Sequence, residues 1–72
     1  MVWFDSTAIL RAEYEPETAT LQLWFRESGG PYDYRNVPAD IFDGLCDASS
    51  KGRYYNEHIR DRYEVIPPAP PR

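Results

Sequence analysis

The sequence predicts a small α+β domain: a three-stranded antiparallel meander followed by two short helices packed on one face of the sheet. Three observations support this fold class. Apolar and polar residues alternate in three successive segments of the first half, as they do in half-buried strands. After residue 37 the apolar residues follow helical spacing instead. The length of 72 residues leaves room for one domain with a thin core.

The first two strands are predicted over residues 8–14 and 20–26. Alternation places four residues of the first strand on its buried face, namely Ala8, Leu10, Ala12 and Tyr14. Pro16 removes a backbone donor and ends this strand in a turn. In the second strand Leu21, Leu23 and Phe25 share one face, so Trp24 points to the other.

The third strand is predicted over residues 31–37. Gly29, Gly30 and Pro31 form the preceding turn, because glycine permits positive φ and proline fixes the exit. Tyr32 and Tyr34 then fall on one face of the strand. Short connections between three such strands predict an antiparallel meander.

Two helices follow the strands. The first is predicted over residues 39–48 after Pro38, which suits the start of a helix. Its apolar stripe consists of Ile41, Leu45 and Ala48. The second begins near Gly52, after a serine pair that can cap it, and its stripe consists of Tyr55, Ile59 and Tyr63. The domain therefore spans residues 1–66, and the proline-rich residues 67–72 are predicted to be a disordered, polyproline-like tail.

Composition excludes several classes of function. A formal net charge of −4 argues against a general polyanion binder. The charge is uneven, however, with −6 in residues 1–50 and +2 in residues 51–72, so one local phosphate site remains compatible with it.

One cysteine and one histidine exclude an intramolecular disulfide and a two-histidine metal site. We expect no cofactor and no metal. Without a membrane span or a signal peptide, we expect a cytoplasmic protein.

Catalysis has little support in the sequence. Cys46 and His58 are the only nucleophile and base of their type, and Cys46 is predicted beside the buried face of a helix. We therefore expect a protein that is not an enzyme. A pocket that gathers His58, Asp61 and a tyrosine would argue otherwise.

Residues 50–56 carry the strongest suggestion of a binding site. Ser50 and Gly52 at a helix N-terminus leave backbone amides free, and Lys51 and Arg53 add positive charge for a phosphate. Tyr54 beside them is a candidate for stacking on a base. Three more residues extend the basic strip along the helix: His58, Arg60 and Arg62. The alternative is purely structural: a serine cap, a close-packed glycine, and arginines paired with Glu57 and Asp61.

The remaining aromatic residues have two interpretations each. Tyr32 and Tyr34 either stack on bases or complete the thin core. Trp24, on the polar face of its strand, either marks an interface or packs under a terminal segment, for which Trp3 and Phe4 are candidates.

Several motifs occur in an order that resembles a known family. They are Ala8-Ile9 before Tyr14, then Leu21-x-Leu23-x-Phe25, Gly30-x-Tyr32-x-Tyr34, Val37-Pro38, and Ser50-Lys51-Gly52-Arg53-Tyr54-Tyr55-Asn56 before Ile59-Arg60-Asp61-Arg62-Tyr63. With them, residues 6–63 resemble a KTSC domain, a short domain at the C-terminus of some lysyl-tRNA synthetases that also occurs as stand-alone bacterial and phage proteins. Tyr55 and Cys46 are small departures from its pattern.

The resemblance implies little about activity, since the family has no established one. The suggestion of RNA binding in the family bears on seven residues here: Tyr32, Tyr34, Lys51, Arg53, Asn56, Arg60 and Arg62. The same motif can also serve folding, with Asn56 and Arg60 satisfying buried backbone groups.

Two hypotheses for function follow. The first is a module that binds RNA, another single-stranded nucleic acid or a nucleotide phosphate at the N-terminus of the second helix. The second is a module for protein interaction or self-association, which uses Trp24, Trp3, Phe4 and the proline-rich tail.

Overall fold

Five antiparallel strands and two helices make up the fold. The structure, a computed structural model, describes residues 2–69. Its strands are β1 (Val2–Trp3), β2 (Ile9–Glu15), β3 (Thr20–Phe25), β4 (Gly29–Tyr34) and β5 (Val65–Ile66), and its helices are α1 (Ala39–Asp47) and α2 (Lys51–His58). The strands lie side by side in chain order, and each neighbouring pair is antiparallel. The predicted α+β class, with an antiparallel sheet and two helices, is confirmed.

The prediction of three strands was wrong, because a short strand adds to each edge of the meander. β1 pairs with β2, where Val2 faces Ala12, and β5 pairs with β4, where Val65 faces Tyr34. Each edge strand has only two residues, which is too short to show an alternating pattern in the sequence. Short edge strands also limit pairing with other chains.

A bulge in β2 changes which of its residues are buried. Ile9 pairs with Phe25 and Arg11 with Trp24, so Leu10 is an extra residue on β2. Ile9 and Ala12 are therefore fully buried, whereas Leu10 is only half-buried. The prediction that Leu10 faces the core is corrected accordingly.

The core lies between one face of the sheet and the two helices. Its buried residues are Phe4, Ile9, Ala12, Leu21, Leu23, Tyr34, Val37, Leu45 and Ile59. Leu21 and Leu23 are fully buried, as their alternation predicts. The Tyr14 and Phe42 rings stack at a centroid distance of 5.3 Å, which joins β2 to α1.

The second helix is shorter than its apolar spacing suggests. Ser50 caps α2 by accepting a hydrogen bond from the Arg53 amide, as expected, but the helix ends at His58. Asp61 has a φ of 61°, a left-handed conformation that does not continue a helix. The chain turns there and returns to the sheet as β5, so Tyr63 lies outside the helix.

The start of the tail has no regular secondary structure at residues 67–69. The prediction of a disordered tail falls partly on residues 70–72, which lie outside the described residues. Between residues 2 and 69, no helix has the length and apolar character that crossing a membrane requires.

Candidate functional site

Lys51, predicted to be a phosphate ligand, instead joins the two helices. Its ammonium group donates hydrogen bonds to the carbonyl oxygens of Cys46, at 2.8 Å, and of Ala48. These carbonyls belong to the end of α1, where helical backbone acceptors have no intrahelical partner. The ammonium also lies 5.2 Å from the centre of the Phe4 ring. The Lys51 ammonium group is thus bound by the end of α1.

The two tyrosines of α2 also make internal contacts. The Tyr54 hydroxyl donates a 3.0 Å hydrogen bond to the Ile41 carbonyl on α1, and its ring lies 4.4 Å from that of His58. The Tyr55 hydroxyl lies 2.6 Å from that of Tyr34. Both rings are half-buried, so the helix uses them for packing and not as an open stacking surface.

Tyr32 and Tyr34 lie on the helix-covered face of the sheet. Tyr34 is buried, and its burial together with the hydrogen bond to Tyr55 raises the pKa of the Tyr34 phenol. Tyr32 is half-buried, and its ring meets Phe25 edge to face at 5.3 Å. The expectation that this pair offers a base-stacking face is corrected for Tyr34, because the helices cover that side of the sheet.

The other predicted polar site residues are exposed. Arg53 pairs with Glu57 at 3.4 Å on the surface of α2, and Arg60 lies 4.0 Å from Asp61. Asn56 and Arg62 are also exposed. Ion pairs between exposed side chains contribute little free energy, so these side chains stay accessible to a ligand.

Two adjoining cavities flank the N-terminal end of α2. They share Thr7, Ala8 and Gly52. The first, of about 430 Å³, is further lined by Asp5, Ser6, Ser49, Ser50 and Lys51. The second, of about 390 Å³, is further lined by Ile9, Phe25, Glu27, Ser28, Tyr55 and Asn56. We call the two together the α2 groove. It brings Ser50, Lys51, Gly52 and Asn56 of the predicted site to one place.

The opposite face of the sheet, which the helices leave open, carries a row of aromatic and cationic side chains. Trp3 faces Arg11 across β1 and β2, and Arg11 faces Trp24 across β2 and β3. The guanidinium carbon of Arg11 lies 3.9 Å from the centre of the Trp24 ring and 5.1 Å from that of Trp3. We call these three residues the tryptophan row. Trp3 is 63% exposed, and Trp24 is half-buried.

An acidic row lies beside the tryptophan row. Glu13 lies two residues after Arg11 on β2 and faces Gln22, which lies two residues before Trp24 on β3. Gln22 in turn faces Asp33 on β4. The Gln22 side-chain amide donates a 2.9 Å hydrogen bond to the Asp33 carboxylate. We call Glu13, Gln22 and Asp33 the acidic row. The open face therefore combines exposed aromatic surface with an excess of negative charge.

Phe4 does not belong to this open face. It is 8% exposed and packs in the core, so the expectation that it forms an interface with Trp3 is corrected. The reason is that the chain leaves the edge strand after Trp3, and the Phe4 amide donates to the Leu10 carbonyl at 3.0 Å. Arg11, Glu13 and Asp33 were not predicted as site residues, since only the strand register brings them beside the two tryptophans.

Cys46 is a poor candidate for a catalytic nucleophile. Burial, the largest effect, raises the pKa of the Cys46 thiol, Lys51 opposes it, and Asp43 and Asp47 add to it. A raised pKa keeps the thiol protonated at neutral pH, which is opposite to what a nucleophile needs. Between residues 2 and 69, no cluster of histidine, cysteine and carboxylate side chains is suited to a metal ion.

Comparisons with known proteins identify relatives over most of the chain. The model of the KTSC domain matches residues 5–63. A small protein from Tsukamurella paurometabola is 37% identical over 62 residues, which cover 86% of this chain and 91% of that protein. A lysine–tRNA ligase from a Nostoc species is 41% identical over 60 residues, which cover 83% of this chain but 10% of the ligase.

A solved structure agrees with these sequence relatives. The crystal structure of a KTSC domain protein from Yersinia pestis superimposes with a TM-score of 0.89 at 30% identity, and the match covers 93% of both chains. The family match and the structural match each cover most of the chain. The chain therefore belongs to the KTSC domain family.

Proposed function

We propose that this domain is a non-enzymatic interaction module, and that it binds a protein partner through the open face of its sheet. The observation that carries the proposal is the tryptophan row, in which Trp3 is 63% exposed beside Trp24 and Arg11. Tryptophan and arginine contribute most often to the energetic centres of protein interfaces. An exposed indole on so small a domain also gains free energy when a partner covers it.

The side chains of the tryptophan row already contact one another before a partner binds, and this favours binding. Arg11 is held between the two indoles by contacts with both rings. Side chains that are already fixed lose less conformational entropy when a partner binds. The neighbouring Glu13 and Asp33 repel phosphate groups, so the open face suits a protein better than a nucleic acid.

The experiment is site-specific photocrosslinking in cells. A photoreactive aromatic residue placed at position 3, which keeps an aromatic ring where Trp3 stands, should trap one discrete partner or a second copy of the chain, whereas the same residue at position 57 on α2 should not. With the purified partner, Trp3→Ala should weaken binding about tenfold or more. Crosslinking from position 57 with the same products would contradict the proposal. Fractionation of the same cells tests the proposed cytoplasmic location.

A second proposal concerns the α2 groove, which we suggest binds RNA, another single-stranded nucleic acid or a nucleotide. Residues of the first turn of α2, several serines, and the aromatic residues Phe25 and Tyr55 line its adjoining cavities, and this composition supports the proposal. Backbone amides in the first turn of a helix have no intrahelical partner and can bind a phosphate. The lysine–tRNA ligases that contain a matching segment add support, since their name places them in tRNA chemistry. We expect this binding to be weak, because Asp5 lines the groove and Lys51 is already hydrogen-bonded to α1.

Titration at low salt tests the second proposal. A short RNA oligonucleotide and a mononucleotide should bind, with an affinity that falls as salt rises. Arg53 follows the groove residue Gly52 in the first turn of α2, so Arg53→Ala should weaken binding. Arg35→Ala, at an exposed arginine just after β4, is the control and should not. Equal effects of the two substitutions, or no binding at low salt, would remove this candidate.

A further inference from the structure

The spacing of the two rows on the open face points to the chemistry of the partner. We propose that the face binds a polyproline II segment that carries a basic residue two positions from a proline. This inference rests on the proposed function of the open face and names its partner. The proline packs against the tryptophan row, and the basic side chain pairs with the acidic row.

The distances along the strands agree with this assignment. The tryptophan row includes Arg11 and Trp24, and the acidic row includes Glu13 and Gln22, two residues further on along β2 and back along β3. At about 3.4 Å per residue, the rows lie about 7 Å apart. A polyproline II segment advances about 3.1 Å per residue, so residues two apart are separated by about 6 Å. One such step therefore spans the two rows.

The chemistry of each row selects a different side chain. Proline rings pack on exposed indole, which Trp3 provides here, and a polyproline II segment has little conformational freedom to lose on binding. The Glu13 and Asp33 carboxylates provide negative charge for a guanidinium or ammonium group. Arg11 places positive charge in the tryptophan row, so a basic residue is disfavoured at the proline position. The face thus distinguishes the two positions of the segment.

The sequence of this chain contains a proline-rich stretch with the same spacing of proline and arginine. Residues 67–72 read Pro-Pro-Ala-Pro-Pro-Arg, in which Pro70 and Arg72 have the required spacing. They provide the probe for the experiment, a synthetic, end-blocked peptide of this sequence with a fluorescent label. The protein is the full chain with Pro70→Ser and Arg72→Ser, so that its own segment does not compete for the face.

The titration compares matched peptides and matched protein variants. The probe should bind with an affinity that falls as salt rises, and a peptide with glutamate in place of the arginine should bind at least tenfold more weakly. Glu13→Gln together with Asp33→Asn should weaken probe binding about tenfold, and Trp3→Ala should weaken it similarly. Glu57→Gln, an exposed acid on α2, is the control and should leave binding unchanged.

The possible outcomes test the polyproline assignment and the proposed interaction function independently. Absence of probe binding, while a partner is still trapped from position 3, overturns the polyproline assignment and leaves the interaction module intact. Equal binding of the arginine and glutamate peptides overturns the role of the acidic row. Loss of all crosslinking from position 3 removes the proposed function itself. The same titration can be repeated with the unaltered chain. If the probe binds the unaltered chain more weakly than the chain with Pro70→Ser and Arg72→Ser, the face also recognises the chain's own segment.

Discussion

Lys51 is the side chain that fixes the connection between α1 and α2. We expect Lys51→Met to lower the free energy of unfolding by about 1–2 kcal/mol, because two carbonyl oxygens at the end of α1 lose a charged donor. Urea unfolding followed by circular dichroism measures the change. Arg53→Met is the matched control and should change stability by less than about 0.5 kcal/mol, since its ion pair with Glu57 is exposed. Similar losses for both variants would contradict this role of Lys51.

The hydroxyl pair of Tyr34 and Tyr55 gives a second prediction for single residues. Tyr55→Phe leaves the buried Tyr34 hydroxyl without its 2.6 Å partner, which we expect to cost about 1–3 kcal/mol of stability. Tyr34→Phe together with Tyr55→Phe removes both polar groups, so the double variant should lose less than the sum of the single variants. A double-mutant cycle from urea unfolding provides the coupling energy. Strictly additive losses would show that the hydroxyls act independently.

At the scale of secondary-structure elements, Gly30 determines how closely β4 approaches β3. An added Cβ there would lie 2.5 Å from the Leu23 carbonyl oxygen and 3.0 Å from the Trp24 Cα. Both are backbone atoms of β3, so we expect Gly30→Ala to cost about 2–4 kcal/mol. Gly29→Ala is the control, because its Cβ meets nothing within 4 Å and only its φ of 71° is unfavourable, at about 1–2 kcal/mol. A larger loss at residue 29 than at residue 30, measured by thermal unfolding, would refute this account.

The three long strands β2, β3 and β4 show what the sequence could predict at this scale. Alternation correctly predicted the burial of Leu21 and Leu23, because β3 is regular and one of its faces is covered. It failed in β2, where the extra residue Leu10 shifts the pattern, since a bulge adds a residue without changing composition. The turn assigned to Gly30 was in fact strand, because close approach of two strands also requires glycine.

For the molecule as a whole, the contacts of the candidate site residues were harder to predict than the fold. Residue types at a helix N-terminus suggested an anion site, yet the tertiary structure turned Lys51 towards the end of α1 and Tyr54 towards the Ile41 carbonyl. Sequence spacing within one helix carries no information about which backbone acceptors a second helix presents. The tryptophan row depends likewise on the register of three strands, so the sequence singles out Trp24 by its alternation but gives no sign that Arg11 lies beside it.

The stability of the whole domain should fall at alkaline pH, because burial and the hydrogen bond to Tyr55 raise the pKa of the Tyr34 phenol. In the unfolded chain this phenol ionises near its ordinary value of about 10. Between that pH and the higher folded value, the unfolded state binds fewer protons than the native state. The contribution of Tyr34 is therefore fully present below about pH 10 and is lost as pH rises, by at most about 1.4 kcal/mol per pH unit.

Urea unfolding midpoints between pH 8 and pH 11.5 measure this dependence, and the Tyr34→Phe variant isolates the part that belongs to one residue. Because phenylalanine does not titrate, the variant should show a shallower decline above pH 10 than the unaltered chain, although it is less stable at pH 8. Burial also raises the pKa of Tyr54, so some decline should persist in the variant. Parallel curves for the two proteins would mean that the Tyr34 phenol ionises as easily in the folded core as in the unfolded chain.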